Sequence, residues 1–408
     1  NIYINKIDYE KINDLTKLYG DAFYLLDSEQ FEKNYRELKS AFTDIYPEFN
    51  IAYSYKTNYT PKFCKIVDSM GGYAEVVSDM EAEIALRIGV SPKNIIWNGP
   101  YKNLEKVKEL LLLGATVNID SIYEVEPILS LADRFPEKIL NVGVRCNFVV
   151  NDGVVSRFGF DVESEEFEYV LKSLQSKKNI NIEGLQCHFA TRDLKTWKPR
   201  AVGMIDLIDK YGLTPAHIDL GGGLFGKMDD SLKKQFSSYI PAYTEYAEEV
   251  ATVFANRFTG EYRPQLLIEP GSALVGDCMK FAAKVVNIKN VRGKNIATVL
   301  GSIYNINPTL NKKNPPLKVL SDSTSRTEYE DLDFGGFTCI ESDYLYRGYT
   351  GALAVGDIVV FSNVGSYSVV LKPPFILPNF PVLDICGESV SVEKRKECFD
   401  DIFHTFKF

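Results

Sequence analysis

From about residue 28 to 270 the sequence alternates helical periodicity with short β-rich runs, and no other feature limits the fold as strongly. Phe31–Phe42 leads to Asn50–Tyr55, Pro61–Met70 to Tyr73–Val77, and Met80–Leu86 to Ile95–Trp97. Val107–Leu113 then leads to Thr116–Ile119, and Ile122–Ala132 to Asn141–Arg145. Phe167–Leu174 leads to Ile182–Cys187, Ala201–Tyr211 to His217–Leu220, and Tyr239–Ala255 to Gln265–Glu269. About eight β/α units in succession predict a (β/α)8 TIM barrel, of the α/β class. An open doubly wound sheet would instead show an early GxGxxG.

After Gly271 the texture changes. Lys280–Val291, Asn295–Val299, Leu317–Leu320, Phe337–Ile340 and Asp357–Asn363 read as strands, while Asn311–Pro316 and the acidic Glu328–Asp333 read as loops. The expected organisation is a barrel over 28–270 and a β-rich domain over 271–408, with 1–27 grouped with it because Ala22–Leu26 is strand-like. A length of 408 residues also favours two domains.

The net charge of −9 argues against a nucleic-acid partner. No apolar run reaches membrane-spanning length, and none opens the chain as a cleavable leader. The first residue is Asn, so a trimmed start or a longer parent polypeptide is expected. Seven cysteines without CxxC spacing fit neither a disulfide framework nor a zinc site, and point to a reducing cytoplasm. Three histidines, at 188, 217 and 404, speak against a polyhistidine metal centre.

Several residues stand where barrel strands end. Lys56 follows the alternating Ile51, Tyr53 and Tyr55, a position from which an amine can condense with a carbonyl cofactor. Taken alone, a lysine there is usually a surface charge. His188 ends another β-run, either against a cofactor ring or as a core histidine. Gly221, Gly222 and Gly223 close the strand beginning at His217; their bare backbone suits a phosphate, or simply a tight loop. Glu269 precedes Pro270 and Gly271, either as a partner for a pyridine nitrogen or as a capping carboxylate. Together with Tyr367 after Gly365, these groups cover what pyridoxal phosphate requires. Cys339 is a candidate acid, although free cysteine is more often buried filler. Glu341 and Asp343 lie one alternation step apart and would share a strand face, or be solvated.

These motifs fall in one family's order and spacing. Tyr55–Lys56–Thr57–Asn58, Glu75–Val76–Val77–Ser78–Asp79–Met80–Glu81 and Ser156–Arg157–Phe158–Gly159 join the segments around His188, Gly221–Gly223, Glu269–Pro270–Gly271 and Gly365–Ser366–Tyr367. From about residue 20 to 375 the chain resembles the fold-type III pyridoxal-phosphate decarboxylases, most closely the diaminopimelate branch. The resemblance implies an alanine-racemase-like barrel plus β-domain. Lys56 would hold the cofactor, His188 stack on its ring and Glu269 pair with its ring nitrogen. Gly221 to Gly223, with Gly271, Ser272 and Tyr367, would serve the phosphate; Arg145 would orient the surroundings of His188 or the carboxylate of Glu75. It also implies head-to-tail homodimers, in which Cys339 crosses the interface to return a proton once CO2 has left.

The departures concern recognition. Ser272 stands where the family has arginine, so one phosphate charge partner is lost. Asn307–Pro308 replaces an Arg-Pro that grips the distal carboxylate of diaminopimelate, and Ile340 separates Cys339 from Glu341 where the family's glutamate follows directly. The expected activity is α-decarboxylation of an amino-acid-headed substrate with a longer or modified chain, as in siderophore, polyamine or modified-peptide biosynthesis. meso-Diaminopimelate is the alternative; an amino-acid racemase or a non-catalytic homologue is disfavoured by Glu269 and by retention of Lys56 and His188.

Overall fold

The computed structural model describes residues 8–408, so residues 1–7 of the grouping 1–27 lie outside the described residues. The chain divides into two compact units. One comprises Lys33–Gly226 and Ser238–Ala273; the other comprises the described part of Asn1–Glu32, with Lys227–Ser237 and Leu274–Phe408.

The first unit is a closed barrel. Its strands are β1 (Phe49–Ser54), β2 (Tyr73–Val76), β3 (Ile95–Trp97), β4 (Thr116–Ile119), β5 (Leu140–Asn147), β6 (Ile180–Gln186), β7 (His217–Asp219) and β8 (Gln265–Ile268). Each pairs in parallel with the next, and β8 returns to β1 through Leu266–Phe49 and Ile268–Ile51, so no edge is left open. Strands covered on both faces need apolar residues throughout, which is why they read as short continuous runs in the sequence.

Local signals set the intervening helices. Ser78 caps Asp79–Arg87 by accepting the Glu81 N–H at 3.1 Å, and Ser164 caps Glu165–Gln175 by accepting that of Phe167. Gly212, at φ 62, ends Trp197–Tyr211 in the left-handed conformation. Ala52, Ile96 and Leu267 form an apolar cluster drawn from β1, β3 and β8. Toward the carboxyl ends of the strands the residues turn polar, as at Ser54, Glu75, Gln186 and Asp219.

In the second unit, Ala22–Leu26 is a strand, paired with Met279–Val291 on one side and Val382–Cys386 on the other. The sheet runs from there through Lys294–Val299 and Thr327–Gly335 to Tyr344–Leu353. Phe23, Leu25, Ala282, Ile358 and Leu383 form its core with Ile12 and Leu15 of the helix Tyr9–Tyr19.

Two local expectations are corrected. Glu328–Asp333 is not a loop but lies within the strand Thr327–Gly335. That strand is largely exposed over its first half, so its acidic residues face water, and only Leu332 and Phe334 are fully buried. Asp333 also meets Lys294 at 3.4 Å and Arg347 at 3.7 Å from neighbouring strands. Phe337–Ile340 is not a strand but the connection between Thr327–Gly335 and Tyr344–Leu353. Asp343 gathers it by accepting hydrogen bonds from the N–H and hydroxyl of Thr338, and side-chain bonds of this kind displace a ladder.

His217 begins β7 in a buried site opened by Gly184 of β6, where an added Cβ would lie 2.2 Å from Nε2. Burial lowers its pKa from 6.5 to about 4, so folding favours the neutral ring. The unfolded chain takes up this proton first, and stability present above pH 6.5 declines as pH falls to about 4, by about 3 kcal/mol. Urea midpoints measured across this range should show the decline in the parent protein and a flatter profile in His217→Gln.

Candidate active site

Two turns fix Lys56. β1 ends at Ser54, whose backbone N–H donates to the Pro270 carbonyl at 3.1 Å, and Tyr55–Thr57 forms a single 3-10 turn. The Glu-Pro-Gly turn after β8 lies so close that a Cβ on Gly271 would fall 2.0 Å from the Thr57 hydroxyl. Lys56 is thereby held at the carboxyl end of the barrel. Its Nζ donates to Ser54 Oγ at 2.8 Å and pairs with Glu75 Oε2 at 3.5 Å, while Ser54 Oγ donates to the same carboxylate oxygen at 2.7 Å. The lysine side chain is 34% exposed and that of Glu75 1%, so the amine can be reached while its counter-charge is sealed.

Glu269 lies within a web of side chains from other strands. Asn98 Nδ2 donates to Glu75 Oε1 at 3.0 Å and to Glu269 Oε2 at 2.7 Å, and Asn118 Nδ2 holds Asn98 by its Oδ1 at 2.7 Å. Gln186 Nε2 donates to Glu269 Oε1 at 3.2 Å. Asp219 lies beside Glu269 as a second buried acid, its Oδ1 accepting the Gly221 N–H at 2.9 Å. Burial is the main reason both acids are pushed above their ordinary pKa; the charges of Asp219 and Glu75 raise Glu269 further, and that of Glu75 raises Asp219. A cation placed against Glu269 would relieve this repulsion.

The loop after β7 is shaped by close approach. Gly221 and Gly223 have φ of 72 and 94, and a Cβ on Gly222 would lie 2.5 Å from the Glu269 carbonyl. Gly222 donates its N–H to His188 Nδ1 at 2.9 Å. That nitrogen is therefore an acceptor, and desolvation, followed by the charges of Lys56, Arg145 and Arg200, holds the His188 pKa well below 6.5. The ring is neutral at physiological pH. Arg145 donates to the His188 carbonyl at 3.2 Å and stands 3.8 Å from Asp120, so its orienting contact is with His188. Arg200, fully buried, donates to the carbonyls of Leu220, Gly222, Phe189 and Thr191 and ties the loops after β6 and β7 together.

Lys56, Glu75, Arg145, His188, Gly221, Gly222, Gly223, Glu269, Gly271 and Ser272 all belong to the barrel unit. Tyr367, Cys339, Asn307, Glu341 and Asp343 belong to the β-rich unit. Tyr367 has a left-handed backbone, φ 53, and Cys339 and Glu341 are exposed in the connection described above. Glu341 and Asp343 do not lie on a strand. Asp343 is buried and accepts from Ser302 Oγ at 3.0 Å and Ile303 N at 2.7 Å as well as from Thr338, a structural arrangement. Asn307 Oδ1 accepts from Thr309 and Asn311 within its own loop.

Sequence reasoning did not single out Ser54, Asn98, Gln186, Asp219 or Arg200. For the first four the available signal was position at a strand's carboxyl end, where neighbouring strands bring their polar residues together; Arg200 lies within the helix Trp197–Tyr211 and gave no such signal.

An accessible lysine beside buried carboxylates, a neutral imidazole and a side-chain-free turn define a barrel enzyme built around a carbonyl cofactor carrying an anionic group. Residues 28–276 match the pyridoxal-binding domain of the pyridoxal-dependent decarboxylases, and the chain belongs to that family. Diaminopimelate decarboxylase of Methanocaldococcus jannaschii is 26% identical over 419 residues, covering 95% of this chain and 92% of that protein. The L-glutamyl-[BtrI acyl-carrier protein] decarboxylase of Niallia circulans is 25% identical over 426 residues, covering 98% and 96%. A crystal structure of the M. jannaschii enzyme superposes with a TM-score of 0.86 at 22% identity, covering 97% of this chain and 94% of that one. The cofactor is pyridoxal phosphate, and the residues fit it: an amine for the aldehyde, a carboxylate for the ring nitrogen, and a side-chain-free turn that leaves room for the phosphate.

Glu269→Gln keeps the shape and removes the charge. Turnover should fall about 10²–10³-fold while the visible absorbance of bound cofactor persists, as stopped-flow and spectrophotometric assays would show.

Proposed function

We propose that this protein removes the α-carboxylate of an amino-acid-headed substrate whose distal part is longer or otherwise modified relative to diaminopimelate. The observation that carries this reading is the change at both distal recognition positions: Asn307 carries no charge and is engaged in its own loop, and Ile340 separates Cys339 from Glu341. Support comes from a near full-length relative that acts on an L-glutamyl group borne by an acyl-carrier protein. Diaminopimelate itself is the second reading, favoured by the names of several relatives.

In this reading Lys56 Nζ binds the cofactor aldehyde, and Ser54 and Glu75 orient it. When bound, pyridoxal phosphate supplies an electron sink for the pair left behind as CO2 departs. Glu269, held by Asn98 and Gln186, keeps a proton on the ring nitrogen. His188, neutral and fixed by Gly222, supports the ring without adding a competing charge. Cys339 Sγ of the partner subunit delivers the proton that replaces the carboxylate, and the enzyme acts as a homodimer.

CO2 release from meso-diaminopimelate, lysine, ornithine, arginine, carboxynorspermidine and a carrier-protein-bound L-glutamyl thioester decides between the readings. Release from an extended substrate and not from diaminopimelate is expected; release from diaminopimelate alone would establish the second reading. Lys56→Ala should abolish release and the visible absorbance of bound cofactor.

The shared site has its own test. Mixing inactive Lys56→Ala with inactive Cys339→Ala should restore about a quarter of parental activity through mixed dimers, whereas no recovery would refute an exchanged cysteine.

A further inference from the structure

We infer that Arg192 replaces the missing arginine at position 272 as the cation for the cofactor phosphate; the inference rests on pyridoxal phosphate being the cofactor. Three loops of the barrel unit converge there. The loop after β6 carries Arg192, the loop after β7 carries Phe225, and the turn after β8 carries Ser272. Arg192 NH2 donates to Ser272 Oγ at 3.3 Å, and its guanidinium lies over the Phe225 ring, 5.6 Å from the centroid.

The placement is built rather than incidental. Tyr246 donates its hydroxyl to the Arg192 carbonyl at 2.7 Å and accepts the Phe225 N–H at 3.1 Å, so one side chain fixes both loops. A Cβ on Gly226 would fall 2.8 Å from the Ser272 carbonyl, which shows how closely the β7 loop abuts the β8 turn. Arg192 is half-buried, and no carboxylate among the described residues forms an ion pair with its guanidinium.

The neighbouring cations are already engaged. Arg200 donates to four backbone carbonyls, Arg145 serves His188 and Asp120, and Lys56 is the anchoring amine. A phosphate dianion near Glu75, Asp219 and Glu269 needs a positive partner, because glycine N–H groups alone supply only partial charge. Serine at 272 is too short to provide one. The guanidinium that touches its hydroxyl is charged, planar and stacked on an aromatic face, which suits a phosphate.

The test compares pyridoxal phosphate with pyridoxal, which has the same ring and aldehyde but no phosphate. Full-length parent, Arg192→Gln and the exchanged pair Arg192→Ser/Ser272→Arg, each dialysed free of cofactor, are titrated with both ligands and followed by absorbance. Arg192→Gln should weaken pyridoxal phosphate binding about 10- to 100-fold and leave pyridoxal binding unchanged. The exchanged pair should recover most of the phosphate preference. Unchanged pyridoxal phosphate affinity in Arg192→Gln, or equal losses for both ligands, would overturn the assignment. Failure of the parent to bind either ligand would overturn the cofactor itself, a separate outcome.

Discussion

The buried carboxylate of Glu269 is the constraint around which the barrel's end is organised. A carboxylate shut off from water is costly to ionise, and here two others, Asp219 and Glu75, raise that cost. The barrel meets it with amides rather than with a direct cation: Asn98 bridges two of the acids, Asn118 holds Asn98, and Gln186 closes the far side. Gly143 belongs to the same arrangement, since a Cβ there would lie 1.8 Å from Asn118 Oδ1. The site is therefore biased toward a positively charged group that would let Glu269 ionise. A protonated pyridine nitrogen is such a group.

Close approach of the loops does the remaining work. Gly221 and Gly222 bring backbone against backbone and Gly271 meets the Thr57 side chain, places where any Cβ would collide, and Arg200 bonds to carbonyls on both adjoining loops. Positions fixed this way need little ordering when a ligand arrives, so less of the binding free energy is lost to entropy. The neutral state of His188 follows from the same construction, because its Nδ1 already accepts the Gly222 N–H.

The barrel could be read from the sequence because its strands are buried on both faces and several are followed at the rim by a polar residue, as by Lys56, His188 and Glu269. The β-rich unit was less legible. In Thr327–Gly335 the exposed half carries Glu328, Glu330 and Asp331, so period-two alternation appears only at Leu332 and Phe334. Phe337–Ile340 has the composition of a strand, but the carboxylate of Asp343, a few residues on, sets its conformation. Asn98, Gln186 and Asp219 escaped notice for a related reason. Amides and acids at strand ends are ordinary in isolation, and their significance lies in closure, which brings β3, β6, β7 and β8 to one carboxylate.

This division bears on how such a protein changes its substrate. The groups suited to bond cleavage sit on strand ends whose positions the closed barrel fixes, and altering one disturbs a shared network. Asn307, Cys339 and Glu341 sit on connections of the β-rich unit, where Glu341 is exposed and the Asn307 side chain is engaged within its own loop. The residues of the Glu269 network all belong to the other unit. Serine at 272, where the family resemblance implies arginine, is different, because that position adjoins Gly271 and the Lys56 turn. A compensating cation must come from within the barrel, and the loop after β6 already carries Arg192 against the Ser272 hydroxyl. Retained chemistry with altered recognition is thus what this architecture permits most readily.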